Sequence, residues 1–311
     1  MMIKPKRLIS GDTIGILPSS SSAREWELQA GVNRLRSLGF NVKFSEHCQE
    51  KYAHGYLAAT DIERVNDVNK MFADETIDAF MCLRGGYGAH RIADKIDWQL
   101  LTNRPRLLIG YSDVTLLHLA IAKECNMVSV QGPMLTSEFA KDIDEFTLDL
   151  FLKLVMRPEA FGVLPIPAHE NVETLVSGMA EGPLIGGNLS LLVAALGTKY
   201  DFDTAGKIFV LEDVGEEPYR VDRMLSQLKL AGKFDNVAAI ILGDFNNCEV
   251  FDKPSLTIHQ VAEEIIKPFN KPTIYNFQTG HCMPMISLPF GVAARLDADS
   301  CSLSLLEAVA V

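Results

Sequence analysis

Ser112 follows a short apolar run, 106–109, by a single turn, Gly110-Tyr111-Ser112-Asp113, and a dense apolar helical pattern, 116–124, comes next. In a strand-to-helix turn of this kind a hydroxyl is held off the end of a sheet. It lies near the positive end of a helix dipole, where a developing oxyanion would be stabilised. The backbone N–H of Asp113 would point the same way. The pattern matches the nucleophile elbow G-x-S-x-G only in part, because Val114 stands at the last glycine. Serine is also a common helix N-cap, so the position alone leaves a nucleophile and a cap both open.

Two other strand ends and one histidine could complete such chemistry. The run 79–83 ends in Arg84-Gly85-Gly86-Tyr87-Gly88. This is neither a Walker loop nor a dinucleotide fingerprint. Its glycines permit close backbone approach to a ligand, so the Gly86 N–H could be a second oxyanion donor, or the turn could serve packing alone. Glu212 ends the run 207–211 and could orient a histidine from below; Asp213, Glu216 and Glu217 are nearby rivals, and acids at strand ends are often only solvated. Histidine supplies a base near neutrality. His281, after Gly280 and the run 272–277, is the best placed of seven. His118 falls on the dense apolar helix and reads as a core residue, while His47, His54, His90, His169 and His259 lack comparable contexts. No histidine pair or His/Cys cluster has metal-ligand spacing, so neither metal nor cofactor is expected.

The bulk composition bounds the function. With 311 residues, two domains are the default. A formal charge of −11 argues against a nucleic-acid binder, which needs basic faces. No apolar stretch reaches the roughly 18 residues of a membrane span, and the short basic start 1–7 does not lead into a signal-peptide core. The six cysteines are scattered without a CxxC pair, which suits reduced thiols and a cytoplasmic location.

These residues must be positioned by an α/β scaffold. Strand-like runs at 12–17, 41–44, 79–83 and 106–109 alternate with helical patterns at 23–38, 61–72 and 116–124, which argues for a parallel sheet with helices on both faces. In the first helix Trp26, Ala30, Leu35 and Leu38 are expected near one stripe. A Pro- and Gly-bearing stretch, 157–181, reads as a linker between a domain over 1–156 and another over 182–311. The second half holds strands at 207–211, 237–242 and 272–277. It also holds an amphipathic helix after Pro218, with Val221, Met224, Leu225 and Leu228 on one face, another helix over 255–267, and a hairpin-like tail.

Taken in order, Gly11-Asp12-Thr13-Ile14-Gly15-Ile16, Leu83 to Gly88, Ile109 to Thr115, Leu184-Ile185-Gly186-Gly187-Asn188-Leu189, Leu211-Glu212-Asp213, Tyr219 to Arg223, Gly280-His281 and Leu288-Pro289-Phe290-Gly291 resemble the LD-carboxypeptidase family of serine peptidases, the muramoyltetrapeptide carboxypeptidases. The resemblance runs through nearly the whole chain. It implies a flavodoxin-like parallel-sheet N-terminal domain that carries the serine. It also implies a smaller, β-rich α/β C-terminal domain that carries glutamate and histidine. The implied triad is Ser112, Glu212 and His281, the implied oxyanion hole the Gly86 and Asp113 amides, and the implied assembly a metal-free homodimer. The substrate implied is a cytoplasmic murein tetrapeptide in peptidoglycan recycling, cut at the bond to its terminal D-alanine. Arg84 is a candidate clamp for the substrate carboxylate, with a structural salt bridge as its other reading, and Asn188 is a further candidate to line the site.

Several positions depart from the family pattern: Leu17 where alanine is usual, Gln131 where histidine is common, and Met285 where asparagine often stands. None touches the implied triad, but they bear on substrate choice. The same family includes microcin-immunity peptidases that act on aminoacyl-nucleotide conjugates. A murein-peptide-binding protein without catalysis and a cysteine hydrolase using Cys82 or Cys282 are the competing classes.

Overall fold

In the computed structural model, which describes residues 2–168 and 170–311, the chain divides into two compact units. Met1–Glu159 with Val309–Val311 form the first, and Ala160–Ala308 the second. His169 lies outside the described residues.

The first unit contains the parallel strands β1 (Thr13–Leu17), β2 (Asn41–Phe44), β3 (Ala79–Cys82), β4 (Leu107–Gly110) and β5 (Ser129–Gln131). They run side by side in the order β2-β1-β3-β4-β5, the order of flavodoxin-like sheets. β3 (AFMC) and β4 (LLIG) are buried at every residue, as befits strands covered on both faces. The edge strand β2 is largely exposed. The helices are α1 (Glu25–Ser37), α2 (Asp61–Ala73), the short α3 (Ala89–Ile92) and α4 (Trp98–Asn103), α5 (Thr115–Glu124) and α6 (Glu145–Met156). α2 begins in a capping box, in which Thr60 and Glu63 satisfy each other's backbone donors. α5 buries every residue from Thr115 to Ile121, which explains why its sequence is apolar all round.

In α1 the buried stripe is Leu28, Gly31, Val32 and Leu35, not the stripe through Trp26, and Trp26 is 55% exposed. The spacing of three and four residues from Leu28 selects one helical face, and Trp26 falls outside it.

The second unit is an eight-stranded mixed sheet. Its strands are β6 (Gly162–Val163), β7 (Glu173–Val176), β8 (Met179–Asn188), β9 (Ile208–Val214), β10 (Ala239–Asn246), β11 (Thr273–Tyr275), β13 (Ala293–Asp297) and β14 (Ser302–Leu305), while the short β12 (Leu288–Phe290) is not part of this sheet. Within it the order is β6-β14-β13-β8-β9-β10-β11-β7. β8 to β11 are parallel to one another, and β7, β13, β14 and β6 are antiparallel to their neighbours. α7 (Leu189–Ala195), α8 (Pro218–Leu230) and α9 (Ile258–Ile265) occupy the connections of the parallel part. The apolar face of α8 is the one its pattern gave: Val221, Met224, Leu225 and Leu228 are buried.

The stretch 157–181 is not a free linker. β6, β7 and the start of β8 lie within it and pair with β14, β11 and β13. Its prolines stay out of the strands, Pro158 before β6 and Pro165 and Pro167 between β6 and β7, where no ladder donor is needed. The tail is the expected hairpin, with Ala294 opposite Leu305 and Asp297 opposite Ser302.

α1 lies tight against a single π-helical turn, Leu135–Phe139. A Cβ added to Gly31 would fall 2.5 Å from the Leu135 carbonyl oxygen and 2.8 Å from its Cγ. Helix propensity alone favours alanine over glycine by about 1 kcal/mol, while overpacking a core costs about 1–3 kcal/mol. We expect Gly31→Ala to lower the midpoint of chemical denaturation; a raised midpoint would mean the contact relaxes freely.

Candidate active site

The turn after β4 carries the first candidate. Ser112 is only half-buried and adopts φ +65, the left-handed region that a residue with a side chain rarely enters. Such backbone costs on the order of 1–3 kcal/mol and persists where the surroundings enforce it. The serine is not the cap of α5. It opens a 3₁₀ turn, Ser112–Val114, and its carbonyl accepts the Thr115 N–H. A sharp strand-to-helix turn with strained serine at its apex is the geometry of a nucleophile elbow, reached here with Val114 in place of the last glycine.

The glycine turn after β3 is built against it. A Cβ on Gly85 would fall 2.8 Å from Ser112 Cβ and 2.9 Å from its Oγ. Gly86, at φ +111, would place a Cβ 2.2 Å from Ser21 Oγ. Ser21 belongs to the loop after β1, and its hydroxyl accepts the Tyr87 N–H at 3.4 Å. The loops after β1 and β3 flank the point where the strand order reverses, the usual ligand crevice of such sheets.

Asp113 sends its side chain inward. Its Oδ2 accepts the Ser20 hydroxyl at 2.6 Å and the Ala89 N–H at 2.8 Å, and burial pushes its carboxyl above the usual range. Any part in stabilising an oxyanion therefore falls to its backbone N–H. Arg84 donates from Nη1 to the Ser22 carbonyl at 3.4 Å and has no carboxylate partner among the described residues, so the salt-bridge reading fails.

Sequence reasoning missed Arg64. It is fully buried on α2 and donates to the carbonyls of Ser19 (2.5 Å) and Gly88 (3.1 Å) and to Asp61 (2.9 Å). It thus ties the loop after β1 to the glycine turn. The one signal was the Asp61–Arg64 spacing, which is indistinguishable from a surface ion pair.

In the second unit, Glu212 and His281 come together. Glu212, 0% exposed on β9, meets His281 Nδ1 through Oε2 at 2.7 Å. Gly280 makes room for this carboxylate: at φ +102, an added Cβ would lie 2.3 Å from Glu212 Oε2. Asp213 points to the opposite face of β9, as alternation demands. It accepts Ser190 N–H (3.0 Å), the Ser190 hydroxyl (2.8 Å) and Asn188 Nδ2 (2.9 Å) at the start of α7. Glu216 pairs with Arg220, and Glu217 with Lys253. Among the four acids Glu212 alone bonds the imidazole. Asn188 is 3% exposed, and its carboxamide caps Leu191 N–H while holding Asp213. The carboxamide thus joins the end of β8 to Asp213 on β9 and to the first turn of α7.

Other titratable groups sort themselves by geometry. His118 is a core residue, bonded to Ser129 Oγ (2.8 Å) and the Gly110 carbonyl (2.9 Å), and burial pulls its pKa down to about 4. His47 pairs with Asp67 (2.8 Å), and its other nitrogen faces Glu63 at 3.7 Å, so acids confront both ring nitrogens. The described residues hold no group of three or more His, Cys, Asp or Glu fit for a metal. Asn246, unnoticed in the sequence, donates to the His281 carbonyl at 2.6 Å.

Burial pushes the Cys82 thiol up to about 12 and raises Cys282 strongly as well. Neither is a ready thiolate near neutral pH. Treatment of the folded protein with iodoacetamide at pH 8 should leave turnover unchanged; inactivation with label on Cys82 or Cys282 would restore the thiol reading.

Asp244 on β10 also escaped notice. Burial first, then the negative charge of Glu212, pushes its pKa up to about 6. A carboxyl raised in the folded state favours folding while protonated, and that contribution is lost as pH rises from its unfolded value through about 6. Asp244→Asn should therefore raise the melting temperature at pH 8 and leave it nearly unchanged at pH 4. An equal effect at both pH values would rule out this electrostatic account.

Comparison with known proteins accords with this geometry. Residues 14–132 match the model of the LD-carboxypeptidase N-terminal domain, and residues 181–296 that of the LD-carboxypeptidase C-terminal domain. The probable murein peptide carboxypeptidase of Bacillus subtilis (strain 168) is 40% identical over 94% of this chain and 91% of its own. Among solved structures, muramoyltetrapeptide carboxypeptidase from Oxalobacter formigenes superposes with TM-score 0.82 at 28% identity, covering 94% of this chain and 97% of the other. MccF in complex with glutamyl sulfamoyl guanosine gives TM-score 0.92 at 26% identity over 99% of each chain. With both halves of the chain matched in order and a relative at this identity across nearly its full length, the protein belongs to the LD-carboxypeptidase family of serine-type carboxypeptidases.

Proposed function

We propose that this enzyme removes the terminal D-alanine from a murein tetrapeptide, using Ser112 as nucleophile, His281 as general base and acid, and Glu212 as the group that orients the imidazole. The observation that carries the reading is the buried 2.7 Å contact between Glu212 Oε2 and His281 Nδ1. A carboxylate on Nδ1 holds the proton there and leaves Nε2 as the basic nitrogen, the role the middle member of a triad needs.

The steps follow from those roles. His281 Nε2 takes the Ser112 proton as Oγ bonds to the carbonyl carbon of the L-centre that precedes D-alanine. The oxyanion is met by the N–H groups of Gly86 and Asp113. Collapse breaks the C–N bond while His281 returns the proton to the leaving amine. Water, deprotonated by His281, then attacks the acyl-serine ester; its C–O bond breaks and His281 returns the proton to Ser112 Oγ, which frees the serine. Arg84, which has no carboxylate partner among the described residues, is the cation offered to the substrate's terminal carboxylate. A cytoplasmic homodimer serving peptidoglycan recycling fits this substrate.

The likeness to MccF bound to glutamyl sulfamoyl guanosine, at TM-score 0.92, supports a second reading in which an aminoacyl-nucleotide conjugate is cleaved by the same three residues. A binder without catalysis is the third, and the intact Glu212–His281 contact weighs against it.

Mass spectrometry of L-Ala-γ-D-Glu-meso-diaminopimelate-D-Ala incubated with wild type should show D-alanine release. Ser112→Ala should lower kcat by roughly a million-fold, as loss of a triad nucleophile does. Glu212→Gln should cost less, about ten-thousand-fold, because the imidazole stays present but misoriented. Full activity in Ser112→Ala would sink the serine mechanism. No release by wild type, with cleavage of an aminoacyl sulfamoyl nucleoside instead, would select the second reading.

A further inference from the structure

Two buried polar residues of the π-helical turn Leu135–Phe139 face the two strand ends that carry the first unit's site. Thr136, 3% exposed, donates both its N–H (3.0 Å) and its hydroxyl (3.1 Å) to the carbonyl of Leu83. Leu83 immediately precedes Arg84-Gly85-Gly86. Glu138, 5% exposed, accepts the Tyr111 hydroxyl on Oε1 at 2.7 Å and the Met134 N–H on Oε2 at 2.8 Å. Tyr111 immediately precedes Ser112. One turn thus grips the glycine segment with one residue and the serine segment with another.

Ser112 cannot hold φ +65 by its own preference. On its far side the turn is anchored by Asp113, through Ser20 and Ala89. On its near side the anchor is Tyr111, whose ring is 7% exposed and whose hydroxyl ends on Glu138. Glu138 is in turn fixed by Met134, at the mouth of the same π turn. Wide helical turns of this kind are rare and concentrate at functional sites, because they re-aim side chains that a regular helix would point elsewhere.

We propose that Glu138 is a positioning residue for the nucleophile. Through the Tyr111 hydroxyl it keeps Ser112 in its left-handed conformation, and Thr136 on the same turn keeps the Gly85-Gly86 segment at a constant spacing from the serine. This proposal rests on Ser112 being the nucleophile. Removing the carboxyl lets Tyr111 and the serine turn relax, so kcat falls while substrate affinity, set elsewhere, does not. Glutamine at the same place keeps an acceptor oxygen for Met134 N–H, and its NH₂ donates to the tyrosine oxygen, so the geometry survives.

The test uses the full-length chain and two readouts: turnover of the tetrapeptide, and the rate at which a fluorophosphonate labels Ser112, read by mass spectrometry without knowledge of the natural substrate. Glu138→Ala should lower kcat on the order of 100-fold, the usual cost of a small misplacement at the reacting atoms. KM should stay near wild type, and labelling should slow in proportion. Glu138→Gln should restore most of both, and circular dichroism should show all variants folded. Wild-type kcat and labelling in Glu138→Ala overturn the proposal. So does a loss that merely follows the unfolded fraction and is not recovered by glutamine. Ser112→Ala separates the two levels: inactive and unlabelled beside a fully active Glu138→Ala, it sinks the positioning role alone; active or labelled, it sinks the nucleophile reading and this proposal with it.

Discussion

Ser112 keeps a left-handed backbone although it carries a side chain, and the first unit is arranged around that constraint. The strain, on the order of 1–3 kcal/mol, has to be held by neighbours that cannot relax. Glycine at position 85 is required because any Cβ there would meet Ser112 itself. Asp113 turns inward to bond Ser20 and Ala89, and Arg64 binds the loop carbonyls of Ser19 and Gly88. Three loops at the carboxyl ends of β1, β3 and β4 are thereby joined by buried polar contacts. Such contacts suit this task because an unmet buried donor or acceptor is costly, so each bond resists sliding.

The second unit solves a different problem: keeping a carboxylate beside an imidazole without losing it to competing partners. The alternation of β9 does the sorting. Glu212 and Asp213 are adjacent in sequence yet project to opposite faces, one to His281 and the other to the start of α7. Gly243 and Gly280 admit the Glu212 side chain by having none of their own. Asn246 then fixes the backbone of His281 through its carbonyl. Nearby, burial and the charge of Glu212 push the Asp244 carboxyl up to about 6.

Much of this was legible before any coordinates. The strands at 41–44 and the helix after Pro218 appear within their expected limits, because a buried face imposes its period on the sequence wherever it is simple. The stripe of α1 was misread because Trp26, the largest apolar residue there, lies off the face that the contact with Leu135 buries. The segment 157–181 reads as a linker because β6 and β7 are two and four residues long and separated by Pro165 and Pro167, too short to show alternation. Arg64, Glu138, Asp244 and Asn246 were invisible for a common reason: a polar residue on a helix or strand reads as solvated unless its partner, distant in sequence, is known.

The sequence by itself determined the class of the scaffold, the membership of its family and the strand ends at which chemistry could occur, since apolar periodicity and glycine turns are local properties. Tertiary structure alone decided which of four neighbouring acids meets His281, that Ser112 is a strained apex and not a helix cap, and that Asn188 and Asp213 serve each other. Those outcomes depend on which face of a strand looks where and on how closely two backbones approach. Neither is written in any one segment; both arise only when segments far apart in the chain are packed together.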